Sequence, residues 1–125
     1  MLKNPKHYFI FSLIWFTIIL ILSVIPSTSP DTISISRIEM RLDYLLHLLI
    51  YLPLGYALMR WGLTKRNTKE LISTIILLLL FSMLPETLQY TISYRTFNPY
   101  DLLFNLVGTI TGCLIVVVDT VRRNT

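Results

Sequence analysis

The tightest constraint on this chain is its four apolar stretches, 8–25, 42–61, 71–90 and 99–118, set in only 125 residues. A spanning helix takes about 20 mostly apolar residues at about 1.5 Å of rise each, so four spans and their turns consume nearly the whole length. The expected fold is all-α: a polytopic membrane protein whose residues 1–125 form a single four-transmembrane-helix bundle. Composition points the same way, because 54% hydrophobic residues and a mean hydropathy of +0.64 exceed the ~45–50% apolar share of soluble domains. The first stretch follows Lys3 and Lys6 as a signal peptide would. It is longer than the usual ~7–15-residue apolar core and lacks a small-x-small cleavage site, so we read it as a permanent helix.

The net charge of +4 does not indicate a nucleic-acid partner, since the basic residues sit at the ends of apolar segments and form no patch with interleaved aromatics. They instead carry topology. Lys3, Lys6, Arg60, Lys65, Arg66, Lys69, Arg122 and Arg123 fall on one side, and only Arg37, Arg41 and Arg95 on the other. Positive charge is retained in the cytoplasm, which puts both termini there and the first and third connections outside. Trp61 is an anchor at the inner interface. The Ser/Pro-rich first connection, 26–41, has room for a short interfacial segment. Cys113 is the single cysteine, which excludes an intramolecular disulfide and a thiolate metal cluster.

Polar residues interrupt the apolar runs at helical spacing. Asp43, His47 and Tyr51 follow at four-residue steps on one face of the second helix, a stripe that ends near Gly55. The third helix carries Glu86 and Gln89, and the fourth opens with Asn98-Pro99-Tyr100-Asp101 and continues through Asn105, Gly108 and Gly112. The topology gathers these groups at the outer ends. From Leu71 to Pro85 the uncharged run rises only about 22 Å. Crossing about 30 Å therefore takes the helix on to Tyr90 and leaves Glu86 and Gln89 inside the hydrocarbon slab. Ionised groups there cost from ~2.5 kcal/mol upward, so they face a bundle interior or a wet cavity.

The pattern Asp43-x3-His47-x3-Tyr51-x3-Gly55, with Glu86-x2-Gln89, Arg95-Thr96, Asp101-x3-Asn105 and Gly108-x3-Gly112, resembles the VanZ-like family across most of the chain. Two positions depart from it: Tyr44 where the family often has lysine, and Pro85 where it often has an acid. The resemblance implies a multi-pass protein of the bacterial cytoplasmic membrane, in a family whose namesake is associated with tolerance to the glycopeptide teicoplanin. It implies no agreed reaction.

Two readings fit the same residues. In the functional one, Asp43 orients and charges His47 for acid/base work, with Glu86 as a further base; these three are the catalytic candidates. Arg95 clamps an anion, and Tyr51, Gln89, Asp101 and Asn105 complete a ligand-binding wall. The ligand is then an anionic envelope molecule, such as a lipid headgroup or a lipid-linked cell-wall precursor. In the structural one, the same groups only tie helices together and the protein acts through partner proteins. Asp101 fits a plain helix start, with Asn98 as N-cap and Pro99 at the first helical position. Whether any reaction is catalysed stays open, for no HExxH or nucleophile elbow is present. Asp43, His47, Glu86 and Asp101 form a mixed oxygen/nitrogen set compatible with a divalent metal, though their spacing is not diagnostic. Gly55, Gly108 and Gly112 allow close helix approach, within the bundle or in a homodimer. Proton-coupled transport is the weakest reading, because the cytoplasmic halves offer no matching ionisable residue.

Overall fold

The computed structural model describes residues 5–25, 32–35, 38–64, 67–92 and 97–124. Four helices account for nearly all of them: α1 (Pro5–Val24), α2 (Leu42–Thr64), α3 (Thr68–Tyr90) and α4 (Pro99–Asn124). Each is long and apolar enough to cross a membrane. The protein is therefore a multi-pass membrane protein with an all-α bundle. Large apolar side chains such as Ile14, Ile21, Leu80, Leu103 and Leu114 stay exposed on the outside of the bundle, where lipid tails replace the water that would penalise them in a soluble protein.

The helices overrun the apolar runs. α4 continues past Val118 to Asn124 and places Arg122 and Arg123 in its last turn, where cations meet the negative end of the helix dipole. α3 begins earlier than its apolar run because Asn67 caps it, its side chain accepting the Lys69 amide at 3.0 Å. The first connection carries a short antiparallel ribbon, β1 (Thr32–Ile35) with β2 (Ile38–Arg41), paired from Thr32–Arg41 to Ile35–Ile38. Its Thr-Ile-Ser-Ile run alternates polar and β-branched apolar residues, the period of a strand.

Contacts fix the arrangement. α2 and α4 run parallel in constant register: His47 meets Asn105, Cys113 meets the Gly55 carbonyl and Arg60 meets Asp119, at sequence offsets of 58, 58 and 59. α1 and α3 run the opposite way, and the side chain of Gln89 donates to the Ser23 carbonyl at 3.2 Å where both approach their ends. A core of Phe16, Ile19, Tyr51, Leu54, Leu58 and Leu78 joins α1, α2 and α3, with Phe16 stacked on Phe81 at 3.9 Å between centroids. Trp15 donates its indole N–H to the Ile50 carbonyl at 2.8 Å, so α1 is tied to α2 by a polar bond as well.

The α2–α4 seam is backbone on backbone. A methyl group added at Gly108 would strike the Leu48 carbonyl, one at Gly112 the Leu52 carbonyl, and one at Gly55 the Thr109 carbonyl. Close approach of this kind replaces the hydrophobic drive that helices lack in lipid with dispersion contact. It also brings the polar faces of α2 and α4 within side-chain reach of each other.

Candidate functional site

The site lies where α1 and α3 finish and α2 and α4 begin. Asn98 starts α4, its Oδ1 accepting the Tyr100 amide at 3.0 Å, as an N-cap must because the first turn has no internal acceptors. Its Nδ2 donates to Asp101 Oδ1 at 3.1 Å and to the Tyr44 hydroxyl at 3.4 Å. Tyr44 stacks on Phe104 with centroids 5.2 Å apart. An aromatic and amide clasp thus holds the first turns of α2 and α4 together and aims the Asp101 carboxylate inward.

One turn deeper, Asn105 is wholly buried and bridges three helices. Its Oδ1 lies 2.7 Å from His47 Nδ1 on α2, while its Nδ2 donates to Glu86 Oε1 at 3.2 Å and to the Ser82 carbonyl at 3.4 Å on α3. Both donor contacts go to groups that can only accept if the carboxylate is ionised, so the amide is oriented with oxygen toward the imidazole. Beneath it the Ser82 and Thr109 hydroxyls meet at 2.8 Å, and Thr109 bonds back to the Asn105 carbonyl at 2.9 Å. The network pairs the buried side chains of Ser82, Asn105 and Thr109 with one another and with backbone carbonyls, which is necessary where no bulk water can do so.

His47 is the group on which the cluster converges. Its Nδ1 is 3.8 Å from Glu86 Oε1 and its Nε2 is 3.9 Å from Asp101 Oδ2. Glu86 is 1% exposed, the Asp101 side chain 12% and the His47 side chain 25%, so the histidine is the most exposed of the three. One ligand atom from each of His47, Glu86 and Asp101 lies within 4.8 Å of the other two. The arrangement can bind a cation, hold an imidazolium between carboxylates, or present a hydrogen-bonding face to a ligand.

The remaining sequence candidates fall around this centre. Asp43 is half-buried and one of its oxygens accepts the Tyr44 amide at 3.1 Å; the carboxylates facing His47 are Glu86 and Asp101. Tyr51 is buried one turn deeper than His47, and its hydroxyl has no hydrogen-bond partner among the described residues. Gln89 is buried and points to α1. Arg95 lies outside the described residues. Ser82 and Thr109 escape a sequence reading because a lone Ser or Thr hydroxyl in an apolar helix usually bonds its own i−4 carbonyl, as Ser12 and Thr17 do here.

A second polar contact sits at the far end of the α2–α4 seam. Arg60, counted above among the topology-setting cations, is 7% exposed and pairs with Asp119 at 2.5 Å, and Arg123 reaches the other Asp119 oxygen at 3.0 Å. The Asp119 and Arg123 pair is legible as an i,i+4 spacing; the Arg60 contact depends on the parallel register.

A family model described as VanZ/LLP1 matches residues 4–120. No curated protein and no solved structure matches the chain.

Proposed function

We propose that this chain, which belongs to the VanZ/LLP1 family, binds an anionic envelope molecule at the polar cluster of α2, α3 and α4. The molecule is a lipid headgroup or a lipid-linked cell-wall precursor, and the membrane is the bacterial cytoplasmic membrane, with the cluster facing outward. The single observation that carries this reading is the quarter-exposed His47 standing over the buried Glu86, Asp101 and Asn105. Intramembrane ionisable residues are costly and persist mainly where they serve a pathway or a site. By sequence Arg37, Arg41 and Arg95 fall in the first and third connections, and the reading assigns them the charge an anion needs. The excess of Lys and Arg at the opposite end supports the outward orientation. A link to glycopeptide tolerance would follow from sequestering or shielding a cell-wall precursor.

Native mass spectrometry of the gently extracted protein tests the reading, with the wild type beside Arg95→Ala and Glu86→Gln. A specific adduct lost in folded variants is expected, and its mass separates a phospholipid from a cell-wall precursor. A wild type that carries no adduct in repeated extractions rejects the proposal.

A structural role is the second reading, and the closed bonding of Asn105, Ser82 and Thr109 favours it. On that reading the cluster is an interhelical lock and the protein acts through partner proteins. Variants at Glu86 or His47 would then lower the melting temperature without changing any adduct.

A further inference from the structure

We propose that His47, Glu86 and Asp101 form a binding site for one divalent transition-metal ion, zinc or manganese, with Asn105 as the residue that positions the histidine. The inference rests on the geometry of the cluster; only what fills the ion's remaining position rests on the ligand reading above.

Three helices deliver the three side chains. His47 comes from the second turn of α2, Glu86 from the last turns of α3 and Asp101 from the first turn of α4. One ligand atom of each lies within 4.8 Å of the others. For atoms so placed there is a point no farther than about 2.8 Å from any of them, against ~2.0–2.2 Å for zinc–nitrogen and zinc–oxygen bonds. The difference is about 0.6–0.8 Å at each ligand, which side-chain rotation has to supply.

Asn105 supplies the second and independent argument. Its amide is oriented by Glu86 and the Ser82 carbonyl, so its oxygen accepts the proton on His47 Nδ1. In the neutral ring that leaves the lone pair on Nε2, which faces Asp101 Oδ2 at 3.9 Å, while Glu86 Oε1 stands 3.8 Å from Nδ1 and has to swing toward Nε2 to share an ion with it. Two electron-rich atoms at this separation are too far apart for a direct hydrogen bond. They are within about 0.5 Å of the ~3.4 Å edge that two ligands subtend around a tetrahedral ion with ~2.1 Å bonds. A metal-binding histidine almost always donates its other N–H to an oxygen acceptor, which fixes its tautomer and raises its basicity. Asn105 stands in that relation to His47.

The donor set decides the ion. One imidazole and two carboxylates suit zinc or manganese better than calcium, which takes six to eight oxygens, or copper(I), which prefers sulfur. Three protein ligands leave at least one position for water or an anionic oxygen, beside a histidine side chain that is 25% exposed. Such an ion would add positive charge beside His47 and draw a phosphate oxygen to it.

The test uses the full chain in lipid nanodiscs, stripped with EDTA and then titrated with zinc chloride or manganese chloride, with metal content read by elemental analysis and stability by thermal unfolding. The wild type should retain close to one equivalent of one of the two ions after gel filtration and melt at a higher temperature with it. His47→Ala and the isosteric Asp101→Asn should each weaken retention at least tenfold. Asn105→Ala, which removes no ligand, should weaken it by about 10- to 100-fold. Leu114→Ala, on the lipid-facing side of α4, should bind as the wild type does. Folded wild type that retains neither ion and shows no thermal shift overturns the proposal, as does retention unchanged in a folded Asp101→Asn. Metal retention without a lipid or precursor adduct leaves the site standing and removes the ligand reading; an adduct on metal-free protein that binds neither ion does the reverse.

Discussion

Asn105 on α4 accepts from His47 on α2 across 2.7 Å of space and 58 residues of sequence. The same offset relates Gly55 to Cys113, and nearly the same one relates Arg60 to Asp119. One parallel helix pair therefore carries a polar contact at each end and a glycine-lined seam between them, and altering any of the three should be felt along its length.

Replacing Asn105 by leucine deprives His47 Nδ1 of its acceptor and removes the Asn105 hydrogen bonds to the Ser82 carbonyl and to Glu86 Oε1. A lost partner for a buried polar group costs about 1–3 kcal/mol. We expect a clearly lower thermal midpoint in detergent for Asn105→Leu, and a midpoint equal to the wild type would mean that the bridge contributes nothing to the fold.

A side chain at the seam should be less tolerable than one removed from the lipid face. Gly112→Val drives methyl groups into the backbone of Leu52 and Tyr56, where overpacking costs typically ~1–3 kcal/mol or more. Leu114→Ala, at a site 58% exposed, should change the unfolding temperature little. The comparison is read from the two melting curves, and a valine variant as stable as the alanine one would contradict the close α2–α4 approach.

At the opposite end, Asp119→Asn leaves the buried Arg60 guanidinium without its carboxylate, and losing a charged hydrogen-bond partner in a partly buried pair costs about 1–3 kcal/mol. Arg123→Ala should cost less, because Arg123 is mostly exposed and exposed pairs contribute ~0–1 kcal/mol. Urea or thermal unfolding of the two variants gives the order directly, and the reverse order would place the energetic weight on the surface pair.

Orientation is checked separately. A reporter enzyme that works only in the periplasm, fused after Thr125, should be silent, while one that works only in the cytoplasm should be active. Swapped activities would turn the His47 cluster toward the cytoplasm and end the reading that it meets an external envelope precursor.

Much of this protein was determined by the sequence alone. Four runs of about 20 apolar residues leave a chain of this length little choice but helices across a bilayer, because in lipid each backbone amide must bond within its own segment. The periodicity of 3.6 placed His47 and Tyr51 on one face, and Asp101 and Asn105 on another. The local start of α4 at Asn98 and Pro99 was readable for the same reason: capping depends on neighbours in sequence.

Tertiary structure decided which faces meet. The sequence pairs His47 with Asp43, its neighbour at i−4, whereas the fold sets it against Glu86, Asp101 and Asn105 from two other helices. It also buries Arg60 with Asp119 and turns Gln89 toward α1. The glycine pattern announced a close approach without its partner, and the parallel packing of α2 on α4 supplied one within the bundle. The physical reason is common to all of these. Helix spacing sets what shares a face within one segment, while the rotation and register of one helix against the next depend on side chains far apart in the chain.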